Sequence, residues 1–90
     1  MARDELENAA ASIRQAADAA SDDEAQERLQ NQASTFDDYA GADRGPDHGQ
    51  LARHEHILTD IADDEGGDVE SHLADALESI TAFRETVEGV

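Results

Sequence analysis

Residues 67–87 read GDVESHLADALESITAFRETV and carry the clearest helical pattern of the chain. Apolar side chains recur there at alternating spacings of four and three residues, at Val69, Leu73, Ala76, Ile80, Phe83 and Val87. This spacing places them along one face of an α-helix in heptad geometry, and Leu77 widens the stripe. Because such a stripe is buried best by a neighbouring helix lying nearly antiparallel, the stretch predicts an all-α fold.

The preceding segment supplies a neighbour for this helix. Its apolar face consists of Leu51, His54, Ile57, Leu58 and Ile61. Asp47 and Gln50 are spaced as a capping pair that begins a helix, and Glu65-Gly66-Gly67 favours a tight reversal at its end. The sequence therefore predicts a C-terminal helical hairpin over residues 48–90. We expect this hairpin to be the stable nucleus, because it holds most of the large aliphatic side chains.

Two helical segments with smaller side chains fill residues 1–41. The first has a mostly alanine stripe at Leu6, Ala9, Ala10, Ile13, Ala16, Ala17 and Ala20, and the second carries Ala25, Leu29, Ala33, Phe36 and Tyr39 or Ala40. Ser21 and Glu24 have the spacing of a capping box, which leaves open a short kink or one uninterrupted helix. Gly41 is placed to end the second segment, and Gly45-Pro46 breaks any helix that follows.

These signals predict a single domain over residues 1–90, a small antiparallel bundle of three or four helices. It would contain an N-terminal helical part over residues 1–41, a loop over 42–47 and the C-terminal hairpin over 48–90, so that the two halves form two helical hairpins.

The charge of the chain indicates the kind of solution in which it is stable. Lysine is absent, and 23 aspartates and glutamates oppose 6 arginines, which leaves a formal net charge of -17 on 90 residues. Such like charge repels itself in dilute buffer, but molar salt shortens the Debye length to about 3 Å and screens the repulsion. We therefore predict a halophilic, cytoplasmic protein. The absence of cysteine agrees with a reducing compartment, and we expect neither export nor membrane anchoring, because no signal-like start or spanning apolar run is present.

The predicted core is thin, because 17 residues are alanine and few larger apolar side chains remain. A domain of this length hides only about two thirds of its unfolded surface. We therefore expect the chain to self-associate as a homodimer, through apolar stripe left over on the last two helices.

The four histidines do not have the spacing of a metal site. His54 and His56 point about 160° apart on a helix, and His54 and His72 are offset by about 9 Å relative to the predicted turn. We expect His54 to pack within its stripe, His56 to lie on the solvent face near Asp60, and His72 to pair with an aspartate one turn away. The sequence predicts neither a metal nor a cofactor.

Chemistry that needs an activated side chain is not indicated either. Paired carboxylates are abundant, but none lies in the apolar setting that would make it a general acid. The serines lack a nucleophile elbow, and residues 41–49 do not have the spacing of a phosphate-binding loop. We predict no catalytic residue and no enzymatic activity. A nucleic-acid partner is not expected, because the chain has no basic stripe.

The most unusual local chemistry lies in the loop and the helix start after it. The candidate interaction site consists of Arg44, Asp47, His48, Arg53 and His54. Functionally, arginines beside a helix start can hold an anion or an acidic partner segment. Structurally, the same charges can tie the loop to acidic helices, with Asp43 and Asp47 as caps, and this structural interpretation is favoured.

The run ADRGPDHGQLARHE over residues 42–55 and the ending FRETVEGV over residues 83–90 resemble a family of short uncharacterised haloarchaeal proteins. The resemblance implies a stand-alone cytoplasmic helical protein of unknown function and transfers no catalytic residue. Arg84 and the C-terminal carboxylate are placed to dock the tail onto the bundle. The main interpretation is a non-enzymatic interaction module that forms a homodimer. The alternative is a regulatory binding module that uses the Arg44–His56 region for an anion, a metal or a partner protein.

Overall fold

The computed structural model describes residues 2–87, without the side chain of Ala2. Four α-helices account for most of this range: α1 (Ala2–Ala19), α2 (Asp23–Gly41), α3 (His48–Glu65) and α4 (Gly67–Arg84). No strand occurs in residues 2–87. The predicted all-α class and small helical bundle are confirmed, with four helices. No helix in this part of the chain is long and apolar enough to cross a membrane.

The boundary between α1 and α2 resolves an alternative that the sequence left open and corrects the predicted cap. The chain leaves helical geometry after Ala19, so the two segments are separate helices rather than one. The cap of α2 is Asp22, not Ser21, and its carboxylate accepts a 2.9 Å hydrogen bond from the N–H of Ala25. Both residue types are good caps, but a carboxylate also interacts favourably with the positive end of the helix dipole.

The other predicted boundaries are confirmed. Asp47 and Gln50 form a complete capping box at the start of α3, with hydrogen bonds of 2.8 Å and 3.0 Å between each backbone N–H and the other's side chain. Gly41 is the last residue of α2. The reversal between α3 and α4 uses Gly66 at φ 62° and Gly67 at φ 54°, a region that side chains with a Cβ rarely adopt.

The helices alternate in direction, and α1 lies between α2 and α4. Arg3, at the start of α1, donates a 2.8 Å hydrogen bond to the carbonyl of Ala40 at the end of α2, which fixes those two helices as antiparallel. α3 packs on α4, whereas α2 and α3 make the least contact of the packed pairs. The side chains that fill the shared core are Leu6, Ile13, Leu29, Phe36, Leu51, Leu58, Ile61, Leu73 and Ile80.

The apolar stripe of α4 is covered within the chain. α4 packs most extensively against α1, although the sequence paired it with α3. Buried alanines such as Ala9 and Ala16 allow this, because small side chains permit closely spaced helices. Val69, Leu73, Ala76, Ile80 and Phe83 are buried, whereas Leu77, which widens the stripe, is partly exposed, so little of the α4 stripe is left over for a dimer. The homodimer stays a prediction. That the hairpin is the folding nucleus stays a prediction.

The expected docking of the C-terminal tail falls outside the described residues, because residues 88–90 are not part of them. Val87, just after α4, packs partly buried against the core.

Candidate functional site

The contact region between α2 and α3 is the sparsest among the packed helix pairs. We call it the α2–α3 seam. It is formed by Arg28, Gln32, Phe36 and Tyr39 from α2, by Arg53, His54, Ile57 and Ile61 from α3, and by Arg44 from the loop between them. Helical spacing places His54, Ile57 and Ile61 in one row of α3. Both ends of that row face α2, since His54 bonds to α2 side chains and Ile61 lines a cavity with Arg28.

His54 is the centre of the seam and bridges the two helices. Its Nε2 lies 2.9 Å from the hydroxyl of Tyr39, and its Nδ1 lies 2.7 Å from Oε1 of Gln32. Because Oε1 is an acceptor, Nδ1 carries the hydrogen and Nε2 accepts from the tyrosine hydroxyl. Both bonds are therefore satisfied by a neutral imidazole.

The rings around His54 form an edge-on cluster. Phe36 lies 5.3 Å from the imidazole centroid and 5.6 Å from that of Tyr39, and the Tyr39 and His54 centroids are 5.6 Å apart. These separations and T-shaped angles are those that aromatic pairs prefer. Phe36 is fully buried, so the cluster gives the seam a rigid floor.

Burial sets the protonation of both polar rings. Desolvation, and then the nearby charge of Arg53, lowers the pKa of His54 below its usual value of 6.5. Desolvation, and then the charge of Asp47, raises the pKa of Tyr39 above 10.0, against a smaller opposing effect of Arg53. At neutral pH the pair is therefore uncharged, which matches its hydrogen bonds.

The five predicted site residues do not converge on one ligand. The side chain of Asp47 is engaged in the capping box. His48 faces α4, where its Nδ1 accepts a 3.1 Å hydrogen bond from Nε of Arg84, while His54 faces α2. Asp47, Arg44 and Arg53 are exposed, and within residues 2–87 the two guanidinium groups have no hydrogen-bond or ion-pair partner. Three of the five residues therefore have structural roles.

The remaining histidines behave differently from each other. His56 is exposed and its Nε2 lies 3.4 Å from a carboxylate oxygen of Asp60, as predicted. His72 forms no ion pair with Asp68 or Asp75 in the described part of the chain, so its predicted pairing is wrong. Across residues 2–87 no group of three or more histidine, aspartate or glutamate side chains is arranged to hold a metal ion.

Several contacts that organise the site were not found from the sequence. Arg84 donates a 2.6 Å hydrogen bond to Glu55 as well as contacting His48, which ties the end of α4 to α3. Arg14 pairs with Asp37, and this hydrogen bond raises the pKa of the arginine. One signal was present, since a tyrosine on a buried face needs a partner for its hydroxyl, and a histidine is an obvious one.

Comparison with known proteins identifies the family but not an activity. The model of DUF7553, a family of unknown function, matches residues 1–86 of this chain. No curated protein and no solved structure matches the chain significantly. The family match agrees with the expected resemblance to an uncharacterised family. Since it covers nearly the whole sequence, the chain belongs to DUF7553, a family of unknown function.

Proposed function

We propose that this protein is a non-enzymatic helical interaction module that associates with a second copy of itself through the α2–α3 seam. The observation that carries the proposal is the weak packing of two helices that follow one another in the chain. In a closed four-helix bundle every helix is covered by two neighbours. Here the sparse contact between α2 and α3 leaves Ile57 and Tyr39 only partly buried, and a second copy would cover them.

The apolar part of the seam supports this use. Ile57 and Tyr39 are only partly buried, whereas Phe36 and Ile61 beneath them are buried. A half-exposed aliphatic side chain and a tyrosine edge over a rigid aromatic floor resemble the centre of a protein interface.

The charges of the seam favour a second copy as the occupant. One end has four carboxylates, Asp22, Glu24, Asp64 and Glu65, which line a cavity with Arg28. The other end has Arg44 and Arg53, which form no ion pair within residues 2–87, although Asp38 lines a cavity with Arg44 and Asp47 lies near Tyr39. A two-fold axis across the seam would bring the acidic end of one copy against the arginine end of the other. The two acidic ends would be kept apart, and so would the two arginine ends. The charge pattern would therefore fix the relative orientation of the two copies.

We place this association in a salt-rich cytoplasm. The net charge of -17 and the absence of lysine and cysteine support that setting. Two chains of such charge repel each other in dilute buffer. In molar salt, with a Debye length of about 3 Å, only charges in direct contact still interact, and the apolar part of the seam can then be buried.

Light scattering in molar potassium chloride tests the dimer. We expect twice the chain mass for the wild type and a monomer for Ile57→Asp, because a buried carboxylate at the centre of the interface is strongly unfavourable. Leu77→Asp is the matched control, since Leu77 is also partly buried but lies on α4. It adds the same charge and should remain dimeric. A wild-type monomer, or a dimer that survives Ile57→Asp in a folded protein, would overturn the proposal.

A second candidate is the regulatory module that binds an anion or an acidic partner through the Arg44–His56 region. It is favoured by a specific observation: Arg44 lines an open cavity of about 350 Å³ with Asp38, Tyr39, Pro46 and Gln50, and its guanidinium forms no ion pair within residues 2–87. Phosphate or sulfate should then raise the melting temperature relative to chloride at equal ionic strength. Arg44→Ala should abolish that shift, whereas Arg28→Ala should retain it. An equal shift in both variants excludes this candidate.

A further inference from the structure

A second concave site lies at the end of the bundle where α1 begins and α4 ends. Its volume is about 280 Å³, and its apolar walls include Leu6, Pro46, Phe83 and Val87. Leu6 is fully buried and Phe83 nearly so, so the walls are fixed by the core rather than by mobile surface side chains. The size is at the lower limit of small-molecule sites in proteins.

Arg3 supplies a positioned cation to this cavity. Its two terminal nitrogens donate to the carbonyls of Ala40 and Asp43, at 2.8 Å and 3.1 Å, so the guanidinium is held across the end of α2. A guanidinium carries five N–H donors, and these contacts leave others free. A side chain already held in place loses less entropy when it binds a ligand.

We propose that this cavity binds a small amphipathic monocarboxylate, with the carboxylate on Arg3 and the apolar chain against Phe83 and Val87. A charge-assisted hydrogen bond to arginine is about twice as strong as a neutral one, and its planar fork matches a carboxylate. The single guanidinium of Arg3 compensates the charge of a monocarboxylate but leaves part of the charge of a phosphate monoester unpaired, so a monocarboxylate fits better. Tyr39 lines both this cavity and the seam, but Arg3, Phe83 and Val87 lie outside the seam. The proposal therefore does not depend on dimerisation.

The test is an NMR titration of the full-length ¹⁵N-labelled protein in molar potassium chloride with hexanoate, acetate and hexanol. Hexanoate combines the charge and the apolar chain, and the other two probes carry one feature each. We expect saturable shifts of the Gly45, Thr86 and Val87 amides, with hexanoate binding at least about tenfold more tightly than either other probe. Hexanoate no tighter than hexanol, or shifts confined to other surfaces, would overturn the proposal.

Variants of Arg3 separate its role from that of the cavity. Arg3→Gln should weaken hexanoate about tenfold or more while hexanol binding stays near that of the wild type. Arg3→Lys keeps the charge and should recover part of the affinity. Arg14→Gln is the matched control, because Arg14 lies on the same helix but pairs with Asp37 away from the cavity. Wild-type hexanoate affinity in Arg3→Gln contradicts the assignment.

Discussion

His54 lies between Leu51 and Leu58 in the apolar row of α3, and a ring placed there needs partners for two nitrogens. The sequence predicted its packing from position alone. It did not predict Tyr39 and Gln32 as partners, because they come from α2 and depend on how the helices pack. The interaction matters because an unpaired polar atom in a half-buried position is costly. His54 therefore links burial, protonation and helix packing at one point.

The lowered pKa of His54 predicts a specific pH dependence. Below pH 6.5 the unfolded chain takes up a proton at this histidine before the folded chain does, so acid favours unfolding. The loss of stability begins as the pH falls through 6.5 and is complete below the pKa of the folded state. We expect the wild type to lose stability relative to His54→Gln across that window, measured by urea unfolding at constant molar salt. An NMR titration of the ring should give a midpoint below 6.5.

Comparing variants removes the effect of the carboxylates, whose protonation in acid relieves repulsion in every form of the chain. His56→Gln is the matched control, because its ring is exposed and pairs only with Asp60. Its pH profile should not reproduce that of His54→Gln. If His54→Gln also runs parallel to the wild type, the ring is not kept neutral by the seam.

Side-chain contacts were predictable only where they are local in sequence. The Asp47–Gln50 box was found because its partners are three residues apart. Arg84 bonds to His48, 36 positions away, and Arg3 to the carbonyl of Asp43, 40 positions away. Such pairs depend on the packing of whole helices, for which a single sequence carries no direct signal.

At the scale of helices, the presence of each helix was easier to predict than which helices pack against each other. Three-and-four spacing located all four elements, and glycines marked the ends of α2 and α3. The main neighbour of α4 was missed, because the sequence argument preferred the helix joined to it by a short connection. The alanine stripe of α1 allows a closer approach than its small apolar area suggested, so α1 became the central helix of the bundle.

Backbone geometry predicts opposite effects on stability for alanine at two glycines, Gly66 in the turn between α3 and α4 and Gly41 at the end of α2. Gly66 has φ 62° and ψ -163°, a region almost exclusive to glycine, so Gly66→Ala should destabilise the fold by about 1–3 kcal/mol. Gly41 ends α2 without a positive φ, and an added Cβ there would meet nothing within 4 Å. Gly41→Ala should therefore be neutral or stabilising by up to about 1 kcal/mol, because it restricts the unfolded chain.

Urea unfolding at constant molar salt measures both glycine variants. Neither substitution changes charge, so they form a matched pair. Equal effects would mean that the reversal tolerates a Cβ and that its geometry does not direct α4 back onto the bundle.

At the scale of the whole molecule, the range of electrostatic repulsion can be compared with the size of the fold. The molecule measures 37 × 21 × 18 Å. At about 10 mM salt the Debye length is about 30 Å, so nearly every carboxylate repels every other. At about 1 M it is about 3 Å, and only groups in contact interact. Partly buried pairs such as Arg84 and Glu55 are screened less and persist at high salt.

We therefore predict that helicity is lost in dilute neutral buffer and recovered in molar potassium chloride, as followed by circular dichroism. Protonation near pH 4 should replace part of the salt, because it removes the repelling charges, although the sequence pI of about 4.1 favours aggregation there. Equal helicity in dilute and molar salt at neutral pH would show that repulsion does not limit this thin core.

The position of the charges should matter as well as their number. Asp63 and Asp64 lie in the last turn of α3, where the negative end of the helix dipole disfavours them. Asp63→Asn with Asp64→Asn should therefore lower the salt concentration at which half the chain is folded. The control pair, Asp23→Asn with Glu24→Gln, removes the same charge from the first turn of α2, where the dipole favours acids. Its benefit should be smaller, and an equal shift in the two double variants would mean that net charge alone sets the salt requirement.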